Sequence, residues 1–152
     1  LLHTNGPHHR RTTVLHLGHQ HLFADGDLLL LVGRCEQIDE LLRGHRPMPS
    51  LLHGDLWGGN WAADESGRPV VFDPAVYFGD RETDIAMSEL FGGFPESFYA
   101  AYRAAWPLSS GFETRKTLYN LYHVLNHLNL FGAGYLRQAE RMIDQLLAEL
   151  RG

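Results

Sequence analysis

The stretch His53-Gly54-Asp55-Leu56-Trp57-Gly58-Gly59-Asn60, followed by Asp73 in the segment VVFDP, decides how this chain is interpreted. Phosphoryl transfer needs a carboxylate that accepts the hydroxyl proton, and oxygen ligands that hold Mg²⁺ against phosphates. An Asp at the mouth of a loop and an Asn five residues later can face one site, and a hairpin can return a second Asp to it. This order, H-x-D-L-x-x-x-N and then an Asp at the end of a strand, is typical of the catalytic and metal loops of kinases.

The same loop has two competing interpretations. A Gly-rich turn uses Asp and Asn for turn chemistry alone, and short motifs also match by accident. Gly-Asp and Gly-Asn boxes occur in dinuclear metallophosphatases, but that site needs a His after the Asn and an upstream Asp-x-His. Trp61 stands after Asn60, and the sequence contains no Asp-x-His. The ordered triple of Asp55, Asn60 and Asp73 favours the kinase interpretation.

Composition limits the classes of function. A length of 152 residues with 44% hydrophobic residues predicts a globular domain, and no apolar run is long enough for a membrane span. A net charge of −5 argues against a nucleic-acid partner. Cys35 is the single cysteine, which excludes an intrachain disulfide, fits a reducing compartment and leads us to expect a cytoplasmic protein.

The first part of the chain is compositionally unusual. Residues 1–21 hold six His and no acid, and we expect a poorly ordered arm here rather than a specific metal site. Leu28–Val32 is a buried strand or the start of a helix, and Cys35–Arg43 has helical spacing that ends before a Gly. We therefore divide the chain into an atypical His-rich arm and helix, 1–46, and a second region, 47–152.

The second region is predicted to be mostly helical around a small β-hairpin. A short strand at Ser50–His53 enters the key loop, and two apolar stretches flank the turn ADESGR as a hairpin. On the third predicted helix, Leu121, Tyr122, Leu125 and Leu128 form an apolar stripe. The hairpin strands are Trp61–Ala63 and Pro69–Asp73, and the helices are Asp80–Gly92, Pro95–Trp106, 113–130 and 135–150.

Three segments resemble the fructosamine kinase, or ketosamine-3-kinase, family: LLHGDLWGGNWA, VVFDPAVYFGDRETDIAMSELFGGFPESFYAAY and LYHVLNHLNLFGAGYL. This family is related to aminoglycoside phosphotransferases and choline kinases, and the resemblance runs from about Leu51 to about Leu147. It implies an α+β, mostly α, fold: the C-terminal helical lobe of a protein-kinase-like enzyme. It also implies transfer of the γ-phosphate of ATP, with Mg²⁺, to the sugar 3-hydroxyl of free or protein-bound ketosamines. The product is unstable, so the sugar leaves and the amine is restored.

The resemblance also assigns site residues. Asp55 matches the catalytic base of the family, and Asn60 and Asp73 match its Mg²⁺ ligands. Trp57, beside the base, would offer a ring face to the sugar or to its amine substituent.

Four further polar residues surround the motif. His53 is predicted to shape the loop through hydrogen bonds to the backbone rather than to transfer a proton. Asp84 lies at the start of a helix, where it could cap or pair with the catalytic loop or merely favour the helix N-terminus, and we assign it a structural role. His123 and His127 have the spacing of paired zinc ligands, but without a third ligand we expect polar packing under the site.

The sequence departs from the family in one respect. A kinase of this type needs an N-terminal lobe with a strand Lys that holds the phosphates. The only Lys is Lys116, sixty-one residues after Asp55 on a predicted C-terminal helix. We therefore expect a fragment that lacks its N-terminal lobe, is weak or inactive alone and self-associates through open apolar surface. The alternatives are a non-catalytic lobe that binds ketosamine or a partner chain, and an aminoglycoside- or choline-type kinase.

Overall fold

The computed structural model describes residues 35–151 of the chain, so the predicted arm 1–21 and the run Leu28–Val32 lie outside the described residues. The described part is mixed, with more helix than strand, which confirms the predicted balance. A short 3₁₀ turn, Ala133–Tyr135, precedes the last helix. The elements in chain order are α1 (Cys35–Leu41), β1 (Pro49–Leu52), β2 (Trp61–Ala63), β3 (Pro69–Val71), β4 (Tyr77–Asp80), α2 (Glu82–Leu90), α3 (Glu96–Ala105), α4 (Phe112–Phe131) and α5 (Leu136–Glu149).

The predicted hairpin is confirmed. Strands β2 and β3 pair antiparallel, with Trp61 opposite Val71. The carboxylate of Asp64 closes the turn, because it accepts hydrogen bonds from the Ser66 hydroxyl at 2.7 Å and the Arg68 amide at 2.9 Å. These bonds, that of the Ser66 side chain first, lower the pKa of Asp64 from 3.8 to about 2.

A second two-stranded sheet was not predicted. Strands β1 and β4 pair antiparallel, with Leu51 opposite Phe78 and Leu52 opposite Tyr77. The sequence prediction of a helix from Asp80 was wrong at its start, because Asp80 still pairs in β4 and the helix begins at Glu82. The β1–β4 pairing holds the two ends of the segment that contains the key loop and the hairpin, so that segment leaves and returns to one place.

The main core lies between α4 and α5. Leu121, Leu125 and Leu128 are buried as predicted, but Tyr122 is 58% exposed and Val124 takes its place in the core. A helix repeats every 3.6 residues, so the sequence i, i+3, i+4, i+7 from Leu121 selects Val124 and excludes Tyr122. Ala139 and Leu146 complete this core from α5.

Helix α2 packs against α4 and contacts β4. Ile85, Ala86 and Met87 are all buried, and the amide nitrogen of Asn120 on α4 donates to the Ala86 carbonyl at 2.8 Å. The polar side chains at the start of α2 are therefore fixed relative to α4. Across the described helices, none combines the length and the apolar character needed to cross a bilayer.

Candidate active site

The loop brings Asp55 and Asn60 into direct contact. The Asn60 amide nitrogen donates to both the main-chain oxygen and the carboxylate Oδ2 of Asp55, each at 2.9 Å. Both partners are acceptors, so the nitrogen must face them and the amide oxygen Oδ1 is left for another partner. Asn60 is buried, which fixes this orientation. The predicted base and the predicted first metal ligand thus share one wall of the site.

Asp84 holds the entrance of the loop. Its Oδ2 accepts from the His53 amide at 2.7 Å and its Oδ1 from the Gly54 amide at 2.9 Å. Gly54 has a φ of 81° and approaches the segment before β4 so closely that a Cβ would lie 2.1 Å from the Ala75 oxygen. Only glycine meets both conditions. Of the two roles that the sequence left open for Asp84, the observed geometry matches pairing with the loop.

His53 connects the loop to the strand that precedes Asp73. Its Nδ1 accepts from the Asp55 amide at 3.3 Å, and its Nε2 lies 3.0 Å from the Phe72 oxygen. One nitrogen must accept and the other must donate, which describes a neutral imidazole protonated at Nε2. Its main-chain oxygen also accepts from the Ala75 amide at 2.8 Å. These bonds connect His53 to the loop through Asp55, and to the segment around Asp73 through Phe72 and Ala75.

Asp73 follows the end of β3 beside Asn60. The Phe72 amide donates to the Asn60 oxygen at 3.1 Å, which places Asp73 one residue beyond a direct backbone contact with the loop. Asp73 is exposed and has a φ of 53°, the one non-glycine residue with positive φ among residues 35–151. Such a backbone costs about 1–2 kcal/mol for most residues, is tolerated best by Asn and Asp, and is found preferentially at functional sites. We call Asp55, Asn60, Asp73 and Asp84 the loop cluster.

Trp57 lies between the two central residues of the loop. Its amide donates to the Asp55 oxygen at 3.1 Å, and its oxygen accepts from the Asn60 amide at 3.0 Å. Trp57 is 38% exposed, so part of this residue is open to solvent.

The two histidines of α4 are in different surroundings. Burial lowers the pKa of His123, and the negative charges of Asp55 and Asp84 partly offset this, so His123 lies near the loop cluster. His127 instead has its Nδ1 at 2.8 Å from the His123 main-chain oxygen. Its ring packs against those of Phe91, Tyr135 and Phe131 at 4.8, 5.2 and 5.3 Å.

Sequence reasoning missed a second polar cluster, on the other side of the start of α2. Arg115 forms a bidentate pair with Glu82, at 2.7 Å from Nε and 3.0 Å from Nη2. Asp80 accepts from the Tyr119 hydroxyl at 2.6 Å and the Glu82 amide at 3.0 Å, and His45 Nε2 lies 2.6 Å from it. We call these five residues the core cluster.

The carboxylate oxygens of the core cluster already have hydrogen-bond partners within the protein. His45, Asp80 and Glu82 offer ligand atoms within 4.8 Å of one another, but Tyr119 and Arg115 already occupy the carboxylate oxygens. Burial alone raises the pKa of Asp80, and the bonds from Tyr119, the Glu82 amide and His45 outweigh it, so this pKa lies below its usual 3.8. The available signal in the sequence was Arg115 and Tyr119, four residues apart on one helix face.

Comparisons with known proteins agree on one family. A ketoamine kinase relative from Synechocystis is 54% identical over 111 residues, which cover 73% of this chain and 38% of that protein. Mouse ketosamine-3-kinase is 52% identical over 99 residues, covering 65% of this chain and 32% of that protein. The crystal structure of a fructosamine-3-kinase homologue from Thermobifida fusca has a TM-score of 0.74 at 35% identity, covering 84% of this chain and 44% of that one.

The chain therefore spans less than half the length of these relatives. The sequence model described as fructosamine kinase matches residues 8–149, a range that starts well before Leu51 and includes most of the arm that we set apart. With this match and more than 50% identity to named relatives, the chain belongs to the fructosamine kinase family.

Proposed function

We propose that this chain carries the acceptor-activating and metal-ligating side of an ATP-dependent ketosamine 3-kinase. The observation that carries the proposal is the contact between Asp55 and Asn60, which directs one carboxylate and one amide oxygen to the same place. Asp55 accepts the proton of the sugar 3-hydroxyl while that oxygen bonds to the γ-phosphorus of ATP. The bond between this phosphorus and the oxygen that bridges it to the β-phosphate breaks, and ADP leaves. The names of the relatives, ketoamine kinase and ketosamine-3-kinase, support the choice of acceptor.

The residues present fit a magnesium ion. Asn60 keeps its amide oxygen free because its nitrogen is bonded to Asp55, and the exposed Asp73 follows shortly after the end of β3. Mg²⁺ prefers such oxygen ligands and usually binds through one or two protein groups plus phosphates. Asn60 and Asp73 would hold the ion, which would supply positive charge against the phosphates of ATP.

The remaining site residues position these groups. Asp84 and His53 hold the loop by its amides and by its contact with Phe72, and neither needs to touch substrate in this proposal. Trp57, which follows Asp55 by two residues and is 38% exposed, would offer its ring to the ketosamine.

The residues of this chain contribute least to the binding of the nucleotide. Lys116 lies on α4, where it pairs with Glu89 at 2.8 Å and with Glu113 at 2.5 Å. Burial lowers the pKa of Lys116, but the bonds to Glu113 and Glu89 outweigh it and raise this pKa, so the amine is already engaged by two carboxylates. We infer that the chain alone transfers phosphate slowly. The same observation favours a second candidate function, a lobe that binds ketosamine without transferring phosphate.

An apolar face supports the need for a further partner. Leu51 and Phe78, opposite each other in the β1–β4 sheet, are 65% and 75% exposed, and neighbouring Val76 is 62% exposed. Monomeric proteins rarely leave large contiguous apolar patches open. We infer that an N-terminal lobe or a second copy of the chain covers this face.

The test compares phosphate transfer from ATP to fructosyl-lysine by the chain and by its Asp55→Asn variant, with the product position read by NMR. Because Asn cannot take the proton, we expect about a 10²- to 10⁴-fold loss of the transfer rate. The variant keeps an acceptor oxygen for Asn60, so its fold should be preserved and circular dichroism should match.

Transfer that does not depend on Asp55, or that occurs at another hydroxyl, would contradict the proposed function. A calorimetric titration with ATP and Mg²⁺ separates the two candidates. Saturation by nucleotide supports the kinase, whereas ketosamine binding without nucleotide saturation supports the binding lobe.

A further inference from the structure

The indole of Trp57 occupies the space where a side chain of Gly59 would be. A Cβ built on Gly59 would lie 2.3 Å from Cη2 and Cζ2 of Trp57 and 2.8 Å from Cζ3. No real Cβ contact is this short, so the ring and any side chain at position 59 exclude each other. The neighbouring Gly58 differs, because its Cβ would meet only the Phe91 and Gly93 oxygens at 3.5 and 3.8 Å, an ordinary contact.

The backbone of Trp57 is fixed independently of its ring. Hydrogen bonds to Asp55 on one side and Asn60 on the other hold the main chain, which leaves the two side-chain torsions to decide where the indole lies. With the ring 38% exposed, the contact with Gly59 defines one side of the indole and leaves another side open. Gly59 therefore controls a degree of freedom that the catalytic hydrogen bonds do not.

We propose that Gly59 is a specificity-determining residue, because it fixes the Trp57 indole where that ring can bind the amine of a ketosamine. This inference rests on the proposed function. A ketosamine carries a secondary amine beside its sugar, protonated near neutral pH, and Trp has the best ring face for such a cation. A ketose without the amine has the same hydroxyls but no cation. The ring position thus selects ketosamines over free ketoses.

The substitution Gly59→Ala isolates this effect. Gly59 is not among the glycines with positive φ, so alanine fits its backbone, and the atoms in its way are the far end of a side chain. The indole can swing away without moving the loop. Gly58→Ala is the matched control, since Gly58 also has an ordinary φ and lies in the same turn.

The experiment uses the chain with Trp61→Phe and Trp106→Phe, which leaves Trp57 as the single tryptophan of the original three. Emission and acrylamide quenching report the ring position, and titrations with fructosyl-lysine and with fructose report affinity. In Gly59→Ala we expect altered quenching and about a 2- to 10-fold loss of affinity for fructosyl-lysine, the size of a cation–π contact. We expect the affinity for fructose to stay constant, and Gly58→Ala to match the parent in both readouts.

Unchanged quenching in Gly59→Ala would overturn the proposal, as would altered quenching with unchanged affinity for fructosyl-lysine. An equal loss of affinity for fructose would overturn the role in selecting the amine. The outcome is separate from that of the proposed function. Asp55-dependent phosphate transfer combined with an unaffected Gly59→Ala variant would reject only this inference, and a Gly59-dependent affinity without any transfer would reject only the kinase.

Discussion

The loop cluster and the core cluster both contain carboxylates, but the oxygens of these carboxylates are used in opposite ways. In the core cluster, Arg115 and Tyr119 donate to the carboxylates of Glu82 and Asp80, and both acids are largely buried. In the loop cluster, Asn60 donates to one oxygen of Asp55 and keeps its own oxygen free. The first arrangement satisfies its carboxylates internally, whereas the second leaves oxygen atoms for ligands.

The start of α2 separates the two clusters. Glu82 turns toward Arg115, and Asp84, two residues later, turns toward the His53 and Gly54 amides. Residues i and i+2 of a helix do not share a face, so one turn of helix can serve both clusters at once. The role of a buried acid beside a candidate active site therefore follows from the groups that its oxygens already bind, and not from its position alone.

The largest expected effect concerns the stability of the core cluster. Arg115→Met leaves the 1% exposed carboxylate of Glu82 without its cationic partner. Removing one member of a buried ion pair costs about 3–5 kcal/mol, because an uncompensated charge stays in the interior. Urea unfolding of the variant and the parent at neutral pH measures the difference.

A double variant sharpens the comparison. Glu82→Leu combined with Arg115→Met replaces both charges by apolar side chains, and such exchanges of buried pairs are often neutral or stabilising. We expect the double variant to recover most of the lost free energy of unfolding. A double variant as unstable as Arg115→Met alone would show that Glu82 also matters through the Ser109 amide, to which it lies at 3.2 Å.

The next effect concerns the support of the loop cluster. Asp84→Asn offers one acceptor oxygen in place of two, so either His53 or Gly54 loses its bond and faces an NH₂ group instead. A hydrogen bond to a charged group contributes about 1.5–3 kcal/mol. Native-state hydrogen exchange at these two amides should therefore accelerate about 10- to 100-fold.

A second substitution on α2 provides the control. Glu89→Gln removes the partially exposed pair with Lys116, and surface pairs contribute at most about 1 kcal/mol. Exchange at His53 and Gly54 should match the parent in this variant. Equal exchange rates in Asp84→Asn and the parent would contradict the role of Asp84 as the support of the loop.

Local patterns in the sequence were enough to predict the elements whose contacts join residues close together in the chain. The hairpin Trp61–Val71 is set by a turn whose Asp64, Ser66 and Arg68 are at most four residues apart, and the helices of 47–151 were predicted to within a few residues. The contact of Asp55 with Asn60 also spans only five residues. Each of these depends on neighbours that the sequence shows directly.

The remaining features depend on residues far apart in the chain. Strand β4 is a strand because Phe78 pairs with Leu51, twenty-seven residues earlier, and the four residues YFGD carry little alternation of their own. The core cluster joins His45 to Asp80 and Asp80 to Tyr119 over 35 and 39 residues. No window of the sequence contains both partners, so periodicity could not predict these contacts.

The smallest expected effect concerns how the stability contributed by the core cluster depends on pH. Tyr119→Phe removes one of the bonds that hold the pKa of Asp80 below 3.8. At neutral pH we expect the variant to lose about 1.5 kcal/mol of unfolding free energy, since Asp80 is ionised in both proteins. A depressed carboxyl pKa stabilises the fold above the unfolded value of 3.8 and stops doing so as the pH falls through the folded pKa.

The difference between Tyr119→Phe and the parent should therefore shrink when urea unfolding is repeated at pH values progressively lower than 3.8, as the charge of Asp80 is lost. Burial and the Asp80 bond raise the pKa of Tyr119 above its usual 10, so the difference should stay constant on the alkaline side up to at least that pH. A difference that is the same at acid and neutral pH would mean that the Tyr119 hydroxyl acts through packing rather than through the charge of Asp80.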